Sequence, residues 1–313
     1  MGQEHWETYY RGGALASCPM GLEPGYTREV RDAWVEFFGA LPDGARVVDV
    51  GTGNGAVALI ALEAARAAGR GLEVHGVDLA RIDPKRHVPD GARLLAGITF
   101  HPGVSIEAMP FDTGSVGAVC GQYAIEYTDV PRSLAEVARV LAPGGRCQFI
   151  VHHADSVIVA NARESLEHAR FVLDESRILR RFRRFLEFER EAPHKARAAL
   201  QDLFRAGAEL RQRAATAKSS LTLAVVRDSL ERLFAGRQSL SYAQRLGLLD
   251  EVERELRTSV HRLRDLVDAA RTEAGMAEMA QAAEAAGLAS PAWVPQLHGG
   301  GNLVGWRLTC RRG

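Results

Sequence analysis

The run Val47-Val48-Asp49-Val50-Gly51-Thr52-Gly53-Asn54-Gly55 constrains this chain more than any other. Its β-branched residues read as a buried strand that carries an acid near its end. Three alternate glycines then demand a tight turn, and an alanine-rich stretch from Ala56 to about Ala68 reads as a helix. Strand, glycine turn and helix N-terminus together form a cradle of nucleotide size. The glycines admit close backbone approach, and the helix start presents free N–H groups. Asp49 is the odd feature, because a carboxylate there repels a pyrophosphate and attracts an ammonium group.

Punctuation divides the chain. Nine of its 12 prolines lie at or before Pro143, and only Pro193 falls between Gly145 and Ser290. The first half therefore alternates short elements and turns, while the second is dominated by helix. An amphipathic helix is expected over 28–39. Strands are expected at 45–50, 74–78, 98–100, 116–122 and 146–151, with helices at 55–68 and 131–141. Such alternation means a parallel sheet covered on both faces. Pro84, Pro89 and Gly91 leave room only for a loop or a short helix between Leu79 and Gly97. Between Asp155 and Ala270, Phe171, Ile178 and Phe185 recur every seven residues, as do Val172, Leu179 and Leu186. Leu249, Val252, Leu256, Val260, Leu263 and Val267 form a second stripe. Both need a partner face, supplied by the helices themselves or by a second copy. Ala292–Leu297 and Leu303–Arg311 flank Gly299-Gly300-Gly301 and read as a hairpin.

The fold class expected is therefore α/β: a Rossmann-like, doubly wound, mostly parallel sheet with a C-terminal antiparallel hairpin and a large all-helical insertion. The divisions are a helical cap or lid at 1–40, a cofactor-binding core at 41–154, the helical insertion at 155–270, serving as substrate lid, dimerisation element or both, and the end of the core, a helix plus the strand hairpin, at 271–313.

Composition narrows the partners. Lys+Arg and Asp+Glu both number 39, so no overall basic character points to nucleic acid. Cys18, Cys120, Cys147 and Cys310 lack metal-ligand or disulfide-framework spacing, which suits a reducing compartment and no metal. The first residues do not read as a secretory leader, and no apolar run reaches bilayer length. A cytoplasmic protein with no membrane span is the expectation.

Gly51-Thr52-Gly53-Asn54-Gly55-Ala56 also fits the G-x-G-x-x-G/A dinucleotide pattern, a weak match alone. Asp78, at the end of the next strand, strengthens it, since a carboxylate there suits ribose hydroxyls. The bland alternative for Asp78 is a solvated strand-end acid. Further along stand Glu107-Ala108-Met109-Pro110-Phe111 and Arg139-Val140-Leu141-Ala142-Pro143-Gly144-Gly145. With these, residues 41–151 resemble the class I S-adenosylmethionine-dependent methyltransferases of the small-molecule type, and 287–313 resemble their closing hairpin. The helical stretch 155–270 lies outside the common core.

The resemblance implies S-adenosyl-L-methionine as cofactor and S-adenosyl-L-homocysteine as product. By position, Gly51, Thr52, Gly53 and Asn54 would wrap the methionine part, and Asp49 would hold its ammonium group. Asp78 would take the ribose hydroxyls, Leu79 would lie against the adenine, and Ile106 and Glu107 would flank it. Gln122 would face the cofactor. Ser105 replaces the acid that many members direct at the adenine amino group. A leading segment would close over the cofactor, with Arg11 on its carboxylate and Tyr10 or Tyr9 lining the site. These aromatics could equally pack a helical cap onto the core.

Catalytic candidates are His152, His153, Glu126 and Tyr123. A His or Glu at a parallel strand's carboxyl end can deprotonate an acceptor. The alternatives are histidines capping a strand and an acid at a helix start. The activity implied is methyl transfer to a small apolar or aromatic acceptor, chiefly on oxygen, by in-line displacement. A homodimer through the insertion is the expected assembly. The competing readings are a methyltransferase-like scaffold whose helical arm binds a partner protein or a carrier-tethered substrate, and an NAD(P)-dependent oxidoreductase. Asp49, the Met-Pro-Phe turn and the lack of Tyr-x-x-x-Lys speak against the last.

Overall fold

The computed structural model describes residues 4–16, 26, 28–218 and 221–313. Cys18 and Met20 lie outside them. The chain divides into two compact units, 1–159 with 268–313, and 160–267.

In the first unit, the expected strand–turn–helix opens the sheet. Strand β1 is Arg46–Val50 and β2 is Glu73–Asp78. β3 is Ile98–Pro102, β4 Val116–Gln122, β5 Leu141–Val151, β6 Leu288–His298 and β7 Asn302–Arg312. Among the described residues these form one sheet in the order β3-β2-β1-β4-β5-β7-β6. The first five strands are parallel, and β7 runs antiparallel to both β5 and β6. This is the expected α/β, Rossmann-like architecture with its closing hairpin.

The helices of this unit are α1 (Glu4–Arg11), α2 (Arg28–Gly39), α3 (Ala56–Ala67), α4 (Pro84–His87), α5 (Gly91–Leu94), α6 (Val130–Val140) and α12 (Glu273–Ala285). Helix α3 starts at Gly55, which has no side chain to cap it. Asp49, from the preceding strand, does that work by accepting the Ala58 N–H at 3.2 Å. Asp129 caps α6 by accepting the Arg132 N–H at 3.2 Å. The segment after Leu79 folds as the two four-residue helices α4 and α5. β5 begins five residues earlier than the apolar pattern indicates, because Leu141 already pairs with Val116 of β4; the register then shifts before Arg146 pairs with Ala118, and Gly144 in between takes φ 73°.

Two apolar cores flank the sheet. One packs Val30, Trp34 and Phe38 of α2 with Ala58 and Ile60 of α3. The other packs Leu134 and Val137 of α6 with Met276 and Met279 of α12.

The second unit is helical. It contains most of α7 (Val157–Arg170), a π-turn at Phe171–Glu175, and α8 (Ile178–Glu191), α9 (Pro193–Thr216), α10 (Leu221–Ala235) and nearly all of α11 (Tyr242–Ala269). The seven-residue recurrence from Phe171 to Phe185 spans the π-turn and a break at Arg177, whose φ is 51°. It is therefore two helix ends rather than one continuous seam. Phe171, Val172, Ile178, Leu179, Phe182, Phe185 and Leu186 nevertheless share one core with Leu210, Leu223 and Leu249. Of the second stripe, Leu249 and Leu256 are buried, while Val252 and Val260 pack at the edge.

Among the described residues no helix is long and apolar enough to cross a membrane. No group of three or more His, Cys, Asp or Glu side chains there could hold a metal ion.

Central strand β4 passes close to β1 at Gly121. A Cβ there would lie 2.8 Å from both the Val50 carbonyl oxygen and its Cγ2. Gly121→Ala is expected to cost about 1–3 kcal/mol through overpacking. Urea unfolding should show a lower midpoint with an unchanged slope.

Candidate active site

The glycine turn is held from both sides by buried acids. Asp49 accepts the Thr52 hydroxyl at 2.6 Å and the Ala58 N–H, and the Cys120 thiol reaches its other oxygen at 3.9 Å. Asp78 accepts the Gly53 N–H and the Ala80 N–H, each at 2.8 Å. Neither acid has a cationic partner among the described residues. Burial pushes the Asp49 carboxyl up to about 7, against the bonds from Thr52 and Ala58 and with help from the Asp78 charge. Burial pushes Asp78 up to about 6, against its two amide bonds.

Helix α1 and the residues after it close over this turn. Asn54 Nδ2 donates to the Tyr10 and Ala14 carbonyls at 3.0 and 2.8 Å. The Tyr10 ring lies so close that a Cβ on Gly53 (φ 52°) would approach it to 2.5 Å. Tyr10, Asp49, Gly51, Thr52, Asn54 and Gln122 line a cavity of about 20 Å³ here, room for one water. The exposed Arg11 pairs with Glu7 at 3.5 Å and is directed at no acid of the turn.

Beyond β2 a wider groove of 610 Å³ runs past Leu79, Val104, Ser105, Glu107 and Met109. Leu79 is 46% exposed, an apolar side chain offered to the groove. Ile106 is buried in the core. Glu107 accepts the Asp129 N–H at 3.2 Å and pairs with Arg132 at 3.1 Å. Ser105 accepts the Glu107 N–H.

The catalytic candidates gather at the carboxyl ends of β4 and β5. Tyr123 adopts φ 55° and stacks on His152 with ring centroids 4.1 Å apart and planes 1° from parallel. Its hydroxyl donates to the Val304 carbonyl at 3.1 Å. His152 is fully buried, and neither ring nitrogen has a hydrogen-bond partner among the described residues. Burial pulls its pKa down to about 3. Glu126 accepts the His152 backbone N–H through Oε1 at 2.9 Å, while its Oε2 is buried and unpartnered. Burial pushes Glu126 up to about 7, opposed by that bond and by the Arg271 charge. His153 turns the other way. It stacks on Trp306 at 4.2 Å and its Nδ1 accepts the Asp155 N–H, while burial lowers its pKa.

Three further residues belong to this region. Arg271 donates to the Glu126 carbonyl at 2.9 Å. Its own backbone joins His152 and Ala154 in a short parallel bridge. Trp34 donates to Gln122 Oε1 at 2.6 Å, leaving Gln122 Nε2 buried without a partner. Tyr127 meets His152 edge-on at 6.0 Å, and Trp6 of α1 meets Tyr127 in the same manner. Arg271 has no signal in the sequence, since it is remote from the motifs. Trp34 reads only as the apolar face of an amphipathic helix.

Residues 25–194 match the family model described as a methyltransferase domain, just over half of the chain. The chain belongs to the class I S-adenosylmethionine-dependent methyltransferases. That family's methyl donor is S-adenosyl-L-methionine. The chain is 32% identical over 145 residues to an uncharacterized methyltransferase of Mycobacterium tuberculosis, covering 46% of this chain and 52% of that one. It thus spans about half the length of the curated relatives it matches. Among solved structures, a geranyl diphosphate methyltransferase in complex with GPP and sinefungin is 24% identical, with 39% and 44% of the two chains covered and a TM-score of 0.34. The YcgJ protein of Bacillus subtilis is also 24% identical, with 45% and 58% covered and a TM-score of 0.33.

The residues present suit that cofactor. A zwitterionic sulfonium carries an ammonium group for a buried acid that lacks a cation, and ribose hydroxyls for a second. Its adenine needs an apolar edge such as Leu79. The unpartnered Oδ1 of Asn54 can accept a hydrogen bond, and the unpartnered Nε2 of Gln122 can donate one.

The acids also set a pH dependence. The Asp49 carboxyl lies at about 7 when folded and at about 3.9 when unfolded, so the folded state holds the extra proton between them. Its contribution to stability is complete below the unfolded value and is lost as pH rises through the folded one. Asp49→Asn is therefore expected to gain stability relative to the wild type as pH is raised from about 4 to about 7. Urea unfolding of both proteins across that range checks the sign.

Proposed function

We propose that this protein transfers a methyl group from S-adenosyl-L-methionine to oxygen of a small apolar or aromatic acceptor, releasing S-adenosyl-L-homocysteine. The observation that carries the proposal is the pair Asp49 and Asp78, buried against the glycine turn with no cation to balance them among the described residues. In the proposed roles, Asp49 receives the ammonium group, with Gly51, Thr52, Gly53 and Asn54 around the methionine part and Tyr10 over it. Asp78 turns to the ribose, and Leu79, Ile106 and Glu107 border the adenine. Gln122 faces the donor from the end of β4.

Methyl transfer asks for little covalent work from the protein. Holding nucleophile, methyl group and sulfur in line supplies up to roughly 7–11 kcal/mol of the barrier. Where the acceptor has a proton to lose, Glu126 is the proposed base, since its raised pKa and open Oε2 match that task. His152 is the proposed hydrogen-bonding partner of the acceptor. Tyr123 and His153 are proposed to position these two, because the Tyr123 hydroxyl and His153 Nδ1 are already engaged.

The helical unit is proposed to serve assembly as a homodimer. Phe204, Leu221 and Val225 are 55%, 71% and 50% exposed on α9 and α10, an apolar face that a second copy would cover. A protein partner or a carrier-tethered acceptor on that face is the alternative, and a cytoplasmic location fits either.

Calorimetric titration tests the cofactor. S-adenosyl-L-homocysteine is expected to bind and NADH is not. Asp78→Ala is expected to weaken the former more than tenfold while the circular dichroism spectrum is retained; near-normal affinity in that variant would remove the ribose assignment. Sedimentation equilibrium tests the assembly: the wild type is expected as a dimer, and Phe204→Glu with Val225→Glu as a monomer.

A further inference from the structure

A second recess lies on the sheet where β5, β7 and β6 pass beside α2. It is a groove of 350 Å³, and none of its lining residues is assigned above to cofactor or acceptor. Its floor carries an unusual pairing. Arg146 of β5 and Arg311 of β7 are direct partners in the antiparallel register, so their side chains emerge side by side on one face. Like charges directly opposite one another are destabilising. Arg307, four residues along β7, shares that face by the alternation of the strand.

The charge is not balanced from within. Among the described residues, Glu36 is the only acid lining the groove. It lies 3.7 Å from Arg307, and its side chain is 82% exposed, so that pair is weak. Arg146 and Arg311 have no carboxylate partner among the described residues. The walls are apolar in part: Phe37 comes from α2, and Val294 of β6 is 46% exposed. Thr309 adds a hydroxyl to the floor. A groove of this volume, with a few converging polar groups on an apolar wall, falls in the ordinary range for small-molecule sites, roughly 300–1,000 Å³.

We propose that this groove binds a small organic phosphate, its phosphoryl group bridging Arg146 and Arg311 and its apolar body lying between Phe37 and Val294. A phosphomonoester brings nearly two negative charges and three acceptor oxygens, enough for two guanidinium forks at once. A carboxylate brings one charge and two oxygens, and would leave one arginine uncompensated. The apolar wall calls for an ester rather than the free ion, since an inorganic phosphate would leave the exposed Val294 uncovered.

Titration of the full chain with phenyl phosphate, inorganic phosphate and benzoate tests this. Phenyl phosphate is expected to bind with a submillimolar Kd, and each of the other two at least tenfold more weakly. Arg146→Gln and Arg311→Gln should each weaken phenyl phosphate at least tenfold and leave S-adenosyl-L-homocysteine binding unchanged. Because each substitution relieves a like-charge pair, each should leave the thermal midpoint of the ligand-free protein equal or higher, which separates loss of binding from loss of fold. Val294→Ser should narrow the gap between phenyl phosphate and inorganic phosphate. The proposal is overturned if phenyl phosphate gives no heat at millimolar concentration, if the arginine variants bind it as the wild type does, or if benzoate binds equally well.

Discussion

Two carboxylates buried against one glycine turn set the terms for the rest of this molecule. Asp49 ties the turn to the start of α3 through Thr52 and Ala58. Asp78 ties the same turn to the end of β2 through Gly53 and Ala80. Hydrogen bonds to charged acceptors are stronger than neutral ones, so these four contacts fix the crevice where the strand order reverses between β1 and β4. The same burial makes the arrangement costly. Buried and without a cation among the described residues, the two acids hold their protons to about 7 and about 6. The turn is thus organised by groups that are only partly ionised near neutrality, and a bound cation would complete their ionisation. In the proposed roles of Asp49 and Asp78, fold and ligand preference would share one electrostatic cause.

That cause was legible in the sequence because it is local. An acid in β1, three glycines and an acid at the end of β2 occupy fixed places in a strand–turn–helix–strand unit, and each placement has a physical reason that needs no tertiary contact. The parallel strands and the closing hairpin were legible for the same reason. What stayed hidden depends on chain segments that meet only in the folded protein. Arg271 meets Glu126 and His152 from far along the chain, and no spacing announces it. Trp34 sits in a helical apolar stripe, and its bond to Gln122 leaves no trace in that pattern. The recurrence through Phe171, Ile178 and Phe185 suggested a continuous helix face. The left-handed Arg177 interrupts it, yet the same residues still share a core, because burial tolerates a break that periodicity does not reveal.

The closure over the glycine turn has a chemical consequence. Asn54 spends both amide hydrogens on the Tyr10 and Ala14 carbonyls, and the Tyr10 ring rests on Gly53. With only about 20 Å³ left beneath, the methionine portion of a donor does not fit under this segment as it stands. Binding there requires Tyr10 to leave Gly53 and the Asn54 bonds to be exchanged. Each such bond is worth only about 0.5–1.5 kcal/mol net, well within what an ammonium group settling against Asp49 could return. In the proposed binding mode the segment would compete with the donor for the turn and then cover it.

The two polar groups left open at the ends of β4 and β5 are not equivalent. A base must be unprotonated when the acceptor arrives and must hold the proton afterwards, which places its best pKa near the working pH. His152, held down to about 3 by burial, is neutral throughout the physiological range and has little affinity for a second proton. Its ring can still donate from one nitrogen and accept at the other, which suits it to orienting a hydroxyl. Glu126, at about 7, is divided between its two forms near neutrality and has one oxygen committed to the His152 N–H and one open. Protonating Glu126 also removes a buried negative charge, so taking the acceptor's proton relieves the carboxylate of its desolvation. Were the roles reversed, the proton would have to rest on an imidazole buried without a single hydrogen-bond acceptor. The same burial that speaks against His152 as the base therefore favours Glu126 in the role proposed for it.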